Sequence, residues 1–394
     1  MIRALETVKT AVQNYRPEPR LLDLMEQFRQ MVNLCIVIGL EKGRTSLKSL
    51  STASYHRLKV CDTPSKYRLC AISRAAGILK NYRNLSKKHT VRTPYCHRAG
   101  LTICYDLKIK DNELIMPGDF HIPLNNYTLS VLRQPDIRIR SVTLTGSRIG
   151  VSFSKKIRLM DPKGMLGIDR NLNNVTAVDS LGNTLVHDLS KVTMIKSSSR
   201  RAVAKFKRDD NRIRRKIADK YGRIQRNRTQ WLLHNASKKL VDHSRINSLG
   251  IAQENIKGIR RLYRKGNGQG NYYRGRLNSW SFSEFGRQVS YKASWDGLPV
   301  FDVNPKGTSS KCSVCGDCMV FSKESRTLHC PSCSNHVDRD VNAARNILSA
   351  GLRFSPLGLS SEAVKGNPTL MVIPGVDDSQ SSLPSEAHLE QPKT

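Results

Sequence analysis

The chain has 394 residues, enough for two or three domains with a sizeable core, and its 66 Lys and Arg against 32 Asp and Glu leave a net charge of +34. A charge of that size repels itself unless a polyanion neutralises it, so nucleic acid is the expected partner. A membrane surface is the other candidate, but no stretch supports it: the longest apolar run, 31–40, is ten residues with Asn33 inside, too short to span a bilayer, and the first residues lack the apolar core of a signal peptide, so a cytoplasmic protein is expected.

Residues 1–15 place Ile2, Leu5, Val8, Ala11 and Val12 about three apart, the spacing of a short helix, with a strand as the alternative. After a turn at Pro17, the residues Leu21, Leu22, Met25, Phe28, Val32 and Cys35 fall at helical spacing, and a second helical stretch covers 65–83. Together they predict a small helical subdomain. From 90 to 157 the pattern switches. The segments 101–110, 112–117, 137–145 and 148–156 alternate or run apolar between turn signals at Asp111-Asn112, Pro117-Gly118 and Gly146-Ser147. An antiparallel sheet or small barrel is predicted, with Arg138, Arg140, Arg148, Lys155 and Lys156 forming a basic face.

Residues 165–189 read as a three-strand meander whose first strand ends in Asp169. A carboxylate at that point is either a turn-maker or a ligand. The stretch 196–245 then holds 17 Lys or Arg against four Asp. Charge runs are usually solvated helix faces, but an excess this one-sided points to phosphate contact, with Trp231, Leu232, Leu240 and Val241 anchoring the end of the run to a core. Residues 246–254 form another apolar strand ending in an acid, Glu254. Between 258 and 278 come Arg260, Arg261, Arg264, Lys265, Arg274 and Arg276, the glycines Gly266, Gly268 and Gly270, and Tyr263, Tyr272 and Tyr273. This is the composition of a flexible basic loop that suits single-stranded nucleic acid. A helix follows over 281–295, with Phe282, Phe285 and Val289 on one side. A strand is predicted at Val300–Val303 and a last helix over 341–350, before Gly351. The Ser-, Pro- and acid-rich residues 355–394 lack periodicity and are predicted to be disordered.

Two motifs carry chemistry. The pairs Cys312-x-x-Cys315 and Cys330-x-x-Cys333 are separated by 14 residues. Each pair closes a tight turn that aims two sulfurs at one point, which suits a single tetrahedral Zn2+ held by four thiolates. Such a site has no open coordination position, so the zinc is structural. Cys318, His329 and His336 are read as non-ligands, and Cys35, Cys61, Cys70, Cys96, Cys104 and Cys318 as reduced and mostly buried.

The second motif is a set of acids: Asp169, Glu254, and Asp338 or Asp340. Three strands, a helix, a strand and a closing helix is the order of an RNase H-like sheet, an α/β architecture in which such carboxylates converge on one edge. Clustered carboxylates repel one another unless cations occupy the site, and hard oxygen ligands with open water positions select Mg2+ or Mn2+. Two such ions about 3.5 to 4 Å apart can activate a water and stabilise the leaving oxygen of a phosphodiester, so hydrolytic strand cleavage is the expected reaction. Spacing does not decide between the two late aspartates, since Asp338 equally suits a hairpin or a helix cap.

Taken together, the tripeptide 167–169 (GID), the apolar strand ending in Glu254, the run 291–316 (YKASWDGLPVFDVNPKGTSSKCSVCG), the second CxxC and 338–348 (DRDVNAARNIL) resemble the TnpB family, insertion-sequence-encoded proteins similar in their nuclease half to type V CRISPR effectors. The likeness covers about residues 1–350 and is most specific from Asp169 to Leu348. It implies a wedge, β-barrel-like, formed by 1–17 and 90–164 and interrupted by a helical recognition region over 18–89. It also implies a RuvC-like nuclease over 165–300 and 338–354, split by a zinc-ribbon target-nucleic-acid-binding insert over 301–337. The implied activity is that of a metal-dependent, RNA-guided DNA endonuclease serving a transposable element, with a guide RNA from the element's end and a target engaged as double- and single-stranded DNA. A prokaryotic, nucleoid-associated location when bound to DNA goes with it; neither monomer nor dimer is indicated. By the family's pattern the metal-binding acids are Asp169, Glu254 and Asp340. Two departures stand out. Asp169 is followed by Arg170 and Asn171 where relatives often carry an apolar residue and Gly, and Glu254 follows Gln253 where a further acid is frequent. Two other readings are a nuclease-silent, RNA-guided DNA-binding regulator and a transposase acting directly in DNA recombination. None of the ten histidines forms the His-x-His pair of single-strand transposases.

Overall fold

A computed structural model describes residues 4–206, 211–256, 258–263, 268, 270–321 and 326–354. The predicted disordered tail at 355–394 lies outside these residues, as do Ile2, Lys207, Arg208, Asp209, Asp210, Arg264, Lys265 and Gly266. Among the described residues, no helix is long and apolar enough to cross a membrane.

Residues 6–156 form one compact unit. Its strands are β1 (Ala4–Asn14), β2 (Leu101–Ile103), β3 (Lys108–Lys110), β4 (Glu113–Met116), β5 (Phe120–Pro123), β6 (Ile137–Leu144) and β7 (Arg148–Arg158). Four of them make a sheet in the order β1-β7-β6-β2, and β3-β4-β5 make a separate antiparallel sheet. Residues 4–14 of the segment whose spacing suggested a helix, with a strand as the alternative, therefore run as a strand. The reason lies in its partners: β-branched Thr7, Val8, Thr10 and Val12 suit a pleated surface, Thr10 Oγ1 meets Ser152 Oγ of β7 at 2.9 Å, and buried Gln13 donates to the Pro123 carbonyl at 2.8 Å.

Between β1 and β2 lie α1 (Pro19–Glu41), α2 (Leu47–Leu58) and α3 (Ser65–Ser86). Pro19, with φ already suited to a helix and no N–H to lose, opens α1. The apolar stripe Leu21, Leu24, Met25, Phe28, Met31, Val32 and Cys35 is buried. Periodicity missed α2 because only Leu50, Ser54 and Leu58 are buried along it; a Ser46 cap to the Ser49 N–H at 3.2 Å starts it. The short α4 (Asn126–Leu132) was likewise unmarked. Arg138, Arg140, Arg148 and Lys156 are exposed on β6 and β7, and Lys155 is half-buried.

The described residues from 157 onward belong to a second unit. Its main sheet uses β8 (Gly164–Arg170), β9 (Asn174–Asp179), β10 (Thr184–Asp188), β11 (Leu249–Glu254) and β12 (Val300–Val303) in the order β10-β9-β8-β11-β12. The β10-β9 and β9-β8 pairs are antiparallel, whereas β8-β11 and β11-β12 are parallel. Parallel neighbours need a crossover. Here α5 (Ser190–Ala204) and the long α6 (Asn211–Ile246) precede β11, while α7 (Asn271–Asn278) and α8 (Phe282–Trp295) precede β12. A small antiparallel sheet of β13 (Val320–Phe321), β14 (Thr327–His329) and β15 (His336–Asp338) leads into α9 (Arg339–Leu352).

Side chains alternate across a sheet. On one face Leu166, Ile168 and Ile251 join Leu233, Leu240, Phe285 and Val289 of α6 and α8 in the main core, each buried aliphatic or aromatic side chain contributing about 1.5 to 3 kcal/mol. On the other face Ala252 and Val303 pack with Ile347 of α9. The alternation puts Gly167, Asp169, Ala252 and Glu254 on the α9 face, and this positions the acids.

Three sequence expectations change here. Trp231, expected to anchor α6, is 59% exposed, because the inward stripe is Leu233, Ala236, Leu240 and Val241 and position 231 falls outside it. The strand expected over 246–254 begins at Leu249, since α6 continues to Ile246. The basic segment 258–278 is not all loop: a 3-10 turn occupies Ile259–Tyr263 and α7 follows. Of the six further cysteines, Cys35, Cys70 and Cys96 are buried, Cys61 is intermediate, and Cys104 and Cys318 are exposed.

Candidate active site and metal centre

The two CxxC turns meet. Sγ of Cys312 lies 3.6 Å from that of Cys333, and Sγ of Cys315 lies 3.4 Å from that of Cys330. Sulfurs at Zn–S distances of about 2.3 Å on a tetrahedron stand about 3.8 Å apart, so the donor set fits zinc in type, number and spacing. The Cys315 backbone N–H, helped by that of Val314, brings the Cys312 thiol down to about 6, and Cys330 is lowered likewise, whereas Cys315 and Cys333 are raised, so the metal-free knuckles favour two thiolates and two thiols. Among the described residues this is the one group of three or more His, Cys, Asp or Glu side chains whose ligand atoms all lie within 4.8 Å of one another. Cys318 stands apart, in an isolated bridge with Lys311, and His329 and His336 stack on each other at 4.3 Å.

The carboxylates make a looser group. In the parallel register Ala252 lies opposite Gly167 and Gln253 opposite Ile168, so Glu254 comes level with Asp169 on the adjoining strand, at the carboxyl ends of both. Asp340 reaches the same face from the first turn of α9. Asp338 is accounted for separately: its Oδ1 accepts the N–H groups of Asp340 at 2.8 Å and Val341 at 3.1 Å, so it caps the helix. Asp169, Glu254 and Asp340 are 5%, 9% and 3% exposed. Burial first, then the charges of Glu254 and Asp340, push the Asp169 carboxyl up to about 7, against a 2.7 Å hydrogen bond from Asn171 Nδ2. Burial also raises Asp340, yet it is held below the usual carboxylate range by Asn174 Nδ2 at 3.1 Å and by Arg326, whose Nη2 lies 2.5 Å from Oδ2, with Arg339 on the other oxygen at 3.3 Å. Burial and the neighbouring acids make ionisation of Asp169 costly, and the three carboxylates together are hard oxygen donors of the type that could hold Mg2+ or Mn2+.

The polar groups around these acids were not visible from spacing. Thr308 Oγ1 donates to Glu254 Oε1 at 2.6 Å. Arg170, buried, donates through Nη1 to the Phe282 carbonyl at 3.1 Å and through Nη2 to the Glu254 carbonyl, and so ties the end of β11 to β8 and α8. Gly286 leaves the room for it: a Cβ there would collide with the Arg170 guanidinium.

Residues 282–347 match the family model Cas12f1-like, TNB domain, a span that takes in α8, β12, both zinc knuckles and Asp340. The TnpB-like protein MJ0751 of Methanocaldococcus jannaschii is 29% identical over 220 residues, covering 54% of this chain and 78% of that one. The chain is similar to the TnpB family. InsQ of Escherichia coli (strain K12), which carries the provisional name RNA-guided DNA endonuclease, is 37% identical over 93 residues, 23% of each chain. Several further TnpB-like relatives are matched over less than half of their own length. Among solved structures, the Cas12f1–sgRNA–target DNA complex contains a chain of similar fold, with a TM-score of 0.58 at 14% identity over 83% of this chain and 82% of that one. Within the TnpB sequence pattern, Arg326, Arg339 and Thr308 sit beside or inside the motifs read above. Only their contacts distinguish them from other charged or hydroxyl residues there.

Proposed function

We propose that this chain is a metal-dependent, RNA-guided DNA endonuclease of a transposable element, with a RuvC-like nuclease split by a zinc ribbon, and that it supports maintenance or transposition of the element. One observation carries the reading: Asp169 and Glu254 stand level at the carboxyl ends of neighbouring parallel strands, on the face crossed by the helix that bears Asp340. The sheet order β10-β9-β8-β11-β12, with its first two pairings antiparallel and the rest parallel, is that expected of an RNase H-like domain. The provisional name of InsQ and the guide RNA and target DNA in the Cas12f1 complex support the same partners here.

In this reading Asp169, Glu254 and Asp340 hold Mg2+ or Mn2+, which when bound supply Lewis-acid stabilisation of the phosphodiester and a more acidic water. Asn171 and Asn174 orient two of the carboxylates, and Thr308 orients the third. Arg326, 60% exposed at its side chain, is free to leave Asp340 when a cation takes its place. The net charge of +34 neutralises the backbone of a guide–target heteroduplex, while base pairing reads the sequence. The four cysteines keep a structural zinc beside this site.

The test is cleavage of matched double-stranded DNA by the purified protein with RNA from the element's end and Mg2+ or Mn2+. Cutting that disappears with Asp169→Ala while target binding remains is the expected result. Binding without cutting by the unmutated protein favours the nuclease-silent reading, for which the pairing of both Asp340 oxygens with Arg326 and Arg339 speaks. Joining of element ends without RNA overturns both.

A further inference from the structure

We propose that Thr308 is a positioning residue for Glu254, and that through it the loop joining β12 to the first zinc knuckle becomes a strut of the carboxylate site. The proposal rests on the nuclease reading and adds to it a residue outside the three acids.

The hydroxyl of Thr308 has one proton and two neighbours, Glu254 Oε1 at 2.6 Å and the Pro305 carbonyl at 2.9 Å. Both neighbours can only accept, but a hydroxyl–carboxylate distance of about 2.5 to 2.7 Å is that of a charge-assisted bond, so the hydroxyl donates chiefly to Glu254. Both residues are buried, at 7% and 9% exposure, which leaves little water to replace the bond if it is lost. With Oε1 engaged, the carboxylate is fixed in rotation about its terminal bond, and Oε2 remains to face a cation.

Thr308 is itself held in place by α9. Asn346 Nδ2 donates to the Thr308 carbonyl and to the Lys311 carbonyl, both at 2.8 Å. One turn earlier, fully buried Asn342 donates to the Lys311 carbonyl at 2.7 Å and accepts the Ser313 N–H at 2.9 Å. Cys312, a thiolate of the zinc set, lies between those two residues. The helix that carries Asp340, the loop that orients Glu254 and a zinc ligand thus form one hydrogen-bonded assembly. Zinc in the knuckles holds Cys312, the two asparagines carry that order to Thr308, and Thr308 passes it to the glutamate.

The experiment compares Thr308→Val and Thr308→Ser with unmutated protein, each loaded with RNA from the element's end. It reads Mn2+ binding calorimetrically on target DNA with a non-cleavable backbone, and cutting across a Mn2+ titration. Zinc content and target affinity are measured in the same preparations. Loss of an outer hydrogen bond to a metal ligand typically weakens metal affinity about 10- to 100-fold. Thr308→Val is therefore expected to bind Mn2+ at least about tenfold more weakly and to need correspondingly more for half-maximal cutting, with zinc and target affinity unchanged. Thr308→Ser, which keeps the hydroxyl, is expected to restore both titrations. Should Thr308→Val lose its zinc, Thr308→Ala, which removes the same hydroxyl with less bulk, is read in its place. If unmutated protein binds Mn2+ and cuts while the hydroxyl-free variant titrates like it, or if Thr308→Ser is as impaired as Thr308→Val, the positioning role is overturned and the nuclease reading stands. Unmutated protein that neither binds Mn2+ nor cuts overturns the nuclease reading and this role together.

Discussion

Gly167 of β8 lies directly under the backbone of α9: a Cβ on it would strike the Ala344 carbonyl and come within 2.5 Å of the Leu348 nitrogen. Backbone cannot move aside as the end of a flexible side chain can. The glycine therefore sets how closely the helix bearing Asp340 approaches the strand bearing Asp169, two residues further on.

Gly167→Ala is accordingly expected to destabilise the protein by about 1 to 3 kcal/mol or more, the range for overpacking a tight contact, and to lower cutting by displacing α9. Gly77→Ala is the contrast, because Gly77 sits in the middle of α3 with nothing within 4 Å of an added Cβ. That substitution should stabilise by about 0.4 to 1 kcal/mol. Denaturant midpoints of the two variants should move in opposite directions.

Zinc loss should be felt at the carboxylates as well as in the knuckles. Cys330→Ser removes a fully buried thiol of the four-cysteine cluster that could hold zinc. Because structural zinc binding is itself folding free energy, of order 10 kcal/mol in small zinc domains, the knuckle pair should open and release Cys312 from the Lys311–Ser313 bonds to α9. The expected outcome is less than one zinc per chain by metal analysis, a lower melting temperature, and protease cleavage within 305–321 or 326–335 that unmutated protein resists.

These contacts show why some features could be read from the residues and others could not. The zinc knuckles and the strand ends at Asp169 and Glu254 are local patterns, and local spacing determines them. Between Asp338 and Asp340 spacing left the choice open and the family likeness favoured Asp340; the cap that Asp338 makes on α9 is a contact only the structure displays. Arg170 and Thr308 act on Glu254 from 84 and 54 positions away in the chain, a separation no periodicity reports. Trp231 misled because a large aromatic suggests burial, whereas the stripe through Leu233, Leu240 and Val241 decides which face of α6 turns inward. In β1 the apolar period of three was an accident of composition, and pairing with β7 overrode it.

Asp169 is expected to trade stability for function. Its folded-state value is raised, so the protonated carboxyl suits the metal-free protein. The associated stability is fully present below the ordinary value of 3.8 and is lost as pH rises through about 7. Asp169→Asn, which does not titrate, should therefore match the parent near pH 4 and exceed it above pH 7. The gain should be on the order of 1 to 4 kcal/mol, since each tenfold change in proton affinity between the folded and unfolded chain is worth about 1.4 kcal/mol. Thermal melts of guide-free protein without added divalent cations check this, and the same variant should have lost cutting.

If Asp340 holds a cation as proposed, Arg326 is expected to compete with it, because the two side chains are paired in the structure. Its side chain is 60% exposed, and ion pairs of that kind contribute about 0.2 to 1 kcal/mol. The Asp340 side chain is buried and retains Arg339 and Asn174 when Arg326 is removed, so the carboxylate is not left unpaired. Arg326→Gln should consequently cost little stability and tighten Mn2+ binding by at most about fivefold, the factor equivalent to 1 kcal/mol. A calorimetric titration with Mn2+ that gives unchanged or weaker binding would place Arg326 as a partner of the loaded site and not a competitor. Binding tightened well beyond fivefold would mean that the pair is stronger than its exposure implies.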